Sequence, residues 1–193
     1  MSRAVLSVGS NLGDRLGYLA DVLAALPGAR TSGVYETAPW GPVPQGDYLN
    51  AVLVADDPGR DAAGWLAFAH ERERAAGRVR GARWGPRTLD VDVIQVHDAG
   101  AVVRSAGPTL VLPHPRAHER AFVLVPWAEV EPDAVLDGHG RVVEVLARLD
   151  PAERAAVRRR DDLAFATGRE SSVRGGPVQS VRGSRLPAPR SPR

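Results

Sequence analysis

The sequence predicts an α+β fold: a ferredoxin-like β-α-β-β-α-β core with extra C-terminal strands and a helix. Three observations predict it. Short β-branched runs alternate with segments of helical period. Their order up to Val96 is strand, helix, strand, strand, helix, strand. The chain has 193 residues and is 44% apolar, enough for one domain and little more.

Each element has its own signal. Ala4–Val8 reads as a buried strand and Gly9-Ser10-Asn11 as a turn. Leu16, Leu19, Leu23 and Leu26 recur at helical spacing until Pro27-Gly28 stops them. Arg30–Thr37 and Tyr48–Ala55 read as strands around a loop, Ala38–Asp47, that holds three Pro and two Gly. Asp61 can cap a helix over Ala62–Ala76, with Gly77 as its stop. Thr88–Val96 mixes β-branched residues with acids, as a half-buried strand does. Thr109–Leu112 and Ala121–Val125 look like two further short strands, and Val142, Leu146 and Leu149 mark a final helix. The core helices are expected on one face of an antiparallel sheet.

Composition narrows the chemistry. There is no cysteine, which excludes disulfides, thiolate metal sites and thiol catalysis. All 25 basic residues are arginine, which excludes a lysine Schiff base and a Gly-Lys-Ser/Thr phosphate loop. The longest apolar run, Ala121–Ala128 with its one Pro, is eight residues, too short to span a bilayer. No signal-peptide core follows Met1, so a cytoplasmic location is expected. Residues 168–193 hold six Arg and one Glu among Ser, Gly and Pro, and read as a disordered tail; residues 1–167 form the expected domain, with net charge −3.

Five groups of residues carry chemistry. In a strand Asp90 and Asp92 share a face, with Cα atoms roughly 7 Å apart, a spacing that suits Mg²⁺. Gly77–Arg87, GRVRGARWGPR, has four Arg, three Gly and no acid, as a lid closing on polyphosphate would. Pro113-His114-Pro115 is followed by Arg120 and Phe122, and His114 and Arg120 could both reach a phosphate. Thr37–Asn50 offers Trp40 and Tyr48 to stack a flat ring, and Thr37 and Asn50 to read its edge. Glu73 continues the apolar stripe Ala62, Leu66, Ala69, either at its exposed end or held inward for a purpose.

Together the segments SVGSNLGDR, YETAPWGPVPQGDYLN, RWGPRTLDVDVI and LPHPRAHERAFVLVP resemble the 6-hydroxymethyl-7,8-dihydropterin pyrophosphokinase family over roughly residues 4–150. The resemblance implies transfer of pyrophosphate from ATP to the pterin hydroxymethyl oxygen, giving AMP, in folate biosynthesis. It implies two Mg²⁺ ions on Asp90 and Asp92. Phosphates would meet Arg87, His114 and Arg120, with Arg78 and Arg80 on a mobile loop and Glu73 near the ATP. The pterin would lie between Trp84 and Phe122, among Thr37, Ala38, Trp40, Tyr48 and Asn50. A monomer is expected, with no membrane and no specific nucleic-acid partner. The alternative is a two-metal nucleotidyltransferase of the ferredoxin-like palm type, which also sets paired acids on such a sheet; the body's negative net charge opposes it.

Overall fold

The computed structural model describes residues 1–39, 43–78 and 85–165. Within them, strand β1 (Ser2–Ser10) is central, paired antiparallel to β4 (Tyr48–Asp57) on one side and β5 (Asp90–Asp98) on the other. β3 (Tyr35–Thr37) pairs outside β4, and β11 (Arg158–Arg159) pairs outside β3. β6 (Ala101–Val102) pairs with the far end of β5, and β2 (Arg30–Thr31) with β4. The sheet order is therefore β11-β3-β4-β1-β5-β6, a mixed α/β fold on an antiparallel sheet. Among the described residues no helix is long and apolar enough to cross a membrane.

The alternation of β1 sorts its side chains. Ala4, Leu6 and Val8 face helices α1 (Arg15–Ala24) and α2 (Ala62–Ala75), and meet Leu19, Val22, Trp65 and Phe68 in one core. Asp14 and Asp61 cap these helices by accepting from Gly17 N and Gly64 N. The other face carries Val5, Val52, Val54 and Ile94, packed under α3 (Ala121–Val130) and α4 (Val142–Arg148).

Three expectations need correction. Ala121–Val125 is helix, not strand: its unbroken apolar run fits either, and the second sheet face needs a cover that a helix provides. The core helices α1 and α2 share one face as expected, and α3 and α4 cover the other. Arg30–Thr37 splits into β2 and β3 because Val52 N donates to the Ser32 hydroxyl rather than to a carbonyl, breaking the ladder. Thr109–Leu112 shrinks to β8 (Val111–Leu112), paired with β7 (Ser105–Ala106) off the main sheet, as β9 (Val135–Leu136) is with β10 (Gly140–Arg141). A short helix α5 (Pro151–Ala155), capped by Asp150, leads into β11. The tail from 168 onward lies outside the described residues.

Candidate active site

The site occupies the end of the second sheet face that α3 leaves open. There β1 presents Ser7 and Gly9. The register sets Ser7 opposite Asp92, and Gly9 between Asn50 and Asp90. Small residues on the central strand make a concavity between the polar ones. A Cβ on Gly9 would stand 2.8 Å from Asn50 Oδ1, so only glycine leaves Asn50 where it is. Asp90 and Asp92 do share this face, whereas Leu89, Val91 and Val93 enter the apolar core behind it. The pairing with β1 shifts by one residue at Ile94, a bulge that ends this polar row and starts the apolar one.

The carboxylates lie in a network of guanidiniums. Asp90 Oδ1 accepts from Arg78 Nη1 at 2.6 Å and its Oδ2 from Arg87 Nη1 at 2.5 Å. Asp92 Oδ2 accepts from Arg120 Nη1 at 2.7 Å, with His114 Nε2 4.0 Å away. Arg78 also pairs with Glu73 Oε1. Arg120 Nε is buried without a hydrogen-bond partner among the described residues, a donor available to a ligand. Three guanidiniums thus face three carboxylates.

Local structure explains the placement. Helix α2 ends in a Schellman turn: Gly77 has φ 66°, Gly77 N donates to Arg74 O, and Arg78 N donates to Glu73 O. That turn sets Arg78 against Glu73, so Arg78 is anchored at the carboxylates rather than carried on free loop. Glu73 is held inward, 7% exposed, and its Oε1 also accepts Val91 N at 3.1 Å. Burial raises the Glu73 pKa; the Val91 N–H and Arg78 oppose that. Burial lowers the His114 pKa despite Asp92. Its Nδ1 accepts from Arg116 N, which leaves the neutral ring's proton on Nε2, toward Asp92. Burial opposes the Arg87 charge, but Asp90, Tyr48 and Asp92 together outweigh it and raise its pKa.

Two cavities meet at this network. One is lined by Thr37, Ala38, Tyr48, Asn50, Arg120 and Phe122, with Ser7 and Gly9 as its floor. Asn50 Nδ2 donates to Thr37 Oγ1 at 2.8 Å, and burial raises the Tyr48 pKa. The other is a groove of about 830 Å³ whose walls include Glu73, Arg78, Leu110 and His114. Arg87, Asp90 and Asp92 line both. Of the expected site residues, Trp40, Arg80 and Trp84 lie outside the described residues; all the others are gathered here.

Sequence reading missed Asn11. Its side chain accepts Arg87 N at 2.7 Å and donates to Gln45 Oε1 at 2.8 Å and Gly46 O at 3.1 Å, while its own N–H donates to Arg87 O. One residue thereby ties the strand end to the segments bearing Arg87 and Tyr48. It stood in the family segment SVGSNLGDR, but an Asn after a strand reads as an ordinary turn and was given no role. Gly9 was equally hidden, because its role exists only opposite Asn50.

The residues Asp90 and Asp92 offer hard oxygen donors, half-buried on one face and paired with arginines, a set that fits Mg²⁺ with phosphate oxygens. Comparison with known proteins agrees in kind. Residues 5–132 match the family model described as 7,8-dihydro-6-hydroxymethylpterin-pyrophosphokinase (HPPK). The 2-amino-4-hydroxy-6-hydroxymethyldihydropteridine pyrophosphokinase of Mycobacterium tuberculosis is 53% identical over 168 residues, covering 82% of this chain and 89% of that protein. The protein of the same name from Methylorubrum extorquens is 46% identical over 158 residues, covering 79% and 96%. The solved Plasmodium falciparum HPPK-DHPS matches the fold with a TM-score of 0.54 at 13% identity; the match covers 76% of this chain and 43% of that longer one. The chain belongs to the 7,8-dihydro-6-hydroxymethylpterin-pyrophosphokinase family.

Proposed function

We infer that this chain transfers pyrophosphate from ATP to the hydroxymethyl oxygen of 6-hydroxymethyl-7,8-dihydropterin, releasing AMP, in folate biosynthesis. The observation that carries the reading is the Asp90–Asp92 pair on the shared wall of two cavities. One cavity suits a flat, edge-reading ring; the other is large enough for a nucleotide and rimmed with arginine.

The roles follow from position. Asp90 and Asp92 would hold two Mg²⁺ ions, which when bound withdraw charge from the phosphate oxygens. Arg78, Arg87 and Arg120 would then turn from the carboxylates to the phosphates, each carrying a planar fork suited to them. His114 would add an Nε2–H donor. Glu73 would return Arg78 to its place. Thr37 and Asn50 would read the ring edge, Ala38 and Tyr48 would flank it, and Phe122 would stack on it, with Arg120 already 5.6 Å above the Phe122 ring. Trp40, Arg80 and Trp84 keep the roles the family resemblance gives them. Catalysis on this account is positioning and charge stabilisation. The strand order β3-β4-β1-β5, with α1 and α2 on one face, supports reading residues 4–98 as a ferredoxin-like core. Residues 1–167 are the proposed catalytic domain and 168–193 a dispensable extension.

The test is purified protein with Mg-ATP, with and without the pterin. AMP formation that requires the pterin is expected. AMP incorporated into a nucleic acid with release of free pyrophosphate would overturn the reading in favour of nucleotidyl transfer, and AMP formed equally without the pterin would overturn it in favour of ATP hydrolysis.

A further inference from the structure

Strand β11 lies beyond the residues that the family model matches, yet its side chains reach the ends of the loop between β3 and β4. Its backbone pairs Arg158 with Glu36 and Arg159 with Tyr35, and Arg160 N donates to Val34 O at 2.9 Å. Its arginines then converge on two acids. Glu36 Oε2 takes Arg160 Nη1 at 2.9 Å and has Arg158 Nη2 at 3.7 Å, while its Oε1 takes Arg15 Nη1 at 3.3 Å. Asp47 takes Arg158 Nη2 at 3.4 Å on its carboxylate and Arg15 Nη1 at 2.7 Å on its carbonyl. Asp162 grips the rest of the Arg160 fork at 2.8 and 2.7 Å.

Glu36 immediately precedes Thr37, and Asp47 immediately precedes Tyr48. Arg158 and Arg15 therefore reach both ends of the loop that carries one wall of the ring-binding cavity, and Arg160 fastens the Glu36 end. Glu36 is only 16% exposed in its side chain, so this network is not a row of loose surface pairs.

We propose that Arg158 and Arg160 are positioning residues for the pterin side of the site: through Glu36 and Asp47 they hold Thr37 and Tyr48 at the separation the ring requires. The inference rests on the assignment of that cavity to the pterin. It makes a C-terminal strand, remote in sequence, a determinant of affinity for one substrate and not the other. Neither arginine touches substrate. Among the described residues no ion pair of this network is made to Asp90, Asp92 or the arginines on them, and the one link, from Gly46 through Asn11, meets only the Arg87 backbone, so the nucleotide side should change little.

Steady-state kinetics of full-length Arg160→Gln tests this. The KM for pterin should rise about tenfold, with kcat and the KM for ATP within about twofold of wild type. Arg158 is 63% exposed in its side chain, so Arg158→Gln should fold even if Arg160→Gln does not, and should raise the pterin KM by about threefold. Glu36→Gln should reproduce the Arg160→Gln effect, and the double variant should add nothing to it. Parallel rises in both KM values, multiplicative effects in the double variant, or a lowered melting temperature with both KM values unchanged would each overturn the proposal and leave β11 as a mere cover for the sheet edge. Wild-type protein that makes no AMP with pterin present would overturn the functional reading itself, a result distinguishable from normal wild-type turnover with unaffected variants.

Discussion

Glu73 Oε1 accepts the backbone N–H of Val91, the residue between Asp90 and Asp92, at 3.1 Å. The C-terminal turn of α2 is therefore bonded to β5 at the point where β5 presents its two carboxylates. The same oxygen pairs with Arg78, so one buried acid sets both the strand and the guanidinium against it.

Glu73→Gln keeps an acceptor for Val91 and loses the charge that steers Arg78. Turnover should fall about tenfold, about 1.4 kcal/mol in the barrier, with little change in melting temperature. Glu73→Ala strips the partner from a buried N–H as well and should cost about 1–3 kcal/mol of stability. Thermal melts beside initial rates separate the two effects. A Gln variant with full activity would show that Arg78 needs no guide.

Asp90 and Asp92 should differ when metal is absent. From sequence, two carboxylates on one face should repel, and removing either should hold or raise stability. The arginines reverse this at Asp90, which holds Arg78 and Arg87 together. Asp90→Asn should lower the melting temperature without Mg²⁺, whereas Asp92→Asn, which frees one guanidinium, Arg120, and the more distant His114, should change it less. Both should lose pterin-dependent AMP formation by at least about a hundredfold. Mg²⁺-dependent activity near wild type in either variant would remove the metal assignment.

Asn11 offers a cleaner separation of the two sides. Asn11→Asp retains the oxygen that accepts Arg87 N but loses the donor to Gln45 and Gly46. Calorimetry with a non-hydrolysable ATP analogue should show near-normal affinity, and pterin binding should weaken. Asn11→Ala should weaken both and cost about 1–3 kcal/mol of stability. Equal loss of ATP affinity in the two variants would contradict the division.

Alkaline stability should depend on Tyr35. Burial, and then the hydrogen bond to Glu129 at 2.9 Å, push its pKa up to about 12 from 10.0. The folded state thus keeps a proton that the unfolded chain loses. The stabilisation is fully present below pH 10 and declines as pH rises from 10 to 12. Tyr35→Phe should flatten that decline and cost about 1 kcal/mol at neutral pH, where the hydrogen bond is lost. Urea melts at pH 8 and at pH 11 measure both; an unchanged decline in the variant would assign it to other groups.

The sequence by itself determined what depends on neighbours along the chain. Period-two spacing put Asp90 and Asp92 on one face, because a strand alternates whatever surrounds it. Asp61 and Gly77 marked the ends of α2, because a cap and a left-handed turn are local chemistry. The family resemblance identified the reaction and named the arginines, the carboxylates and the His114 that line the two cavities.

Only the tertiary structure decided the rest, because it arises from segments distant in sequence. An apolar run at 121–125 became a helix because an exposed sheet face needed covering. Glu73 turned inward because the edge of β5 offers it a backbone N–H. Gly9 matters because Asn50 lies across from it. Asn11 stood in a family segment without a role, and Arg158 and Arg160 stand in no motif. Their roles come from hydrogen bonds and ion pairs spanning 76 residues from Asn11 to Arg87 and 124 from Glu36 to Arg160, which no local pattern encodes.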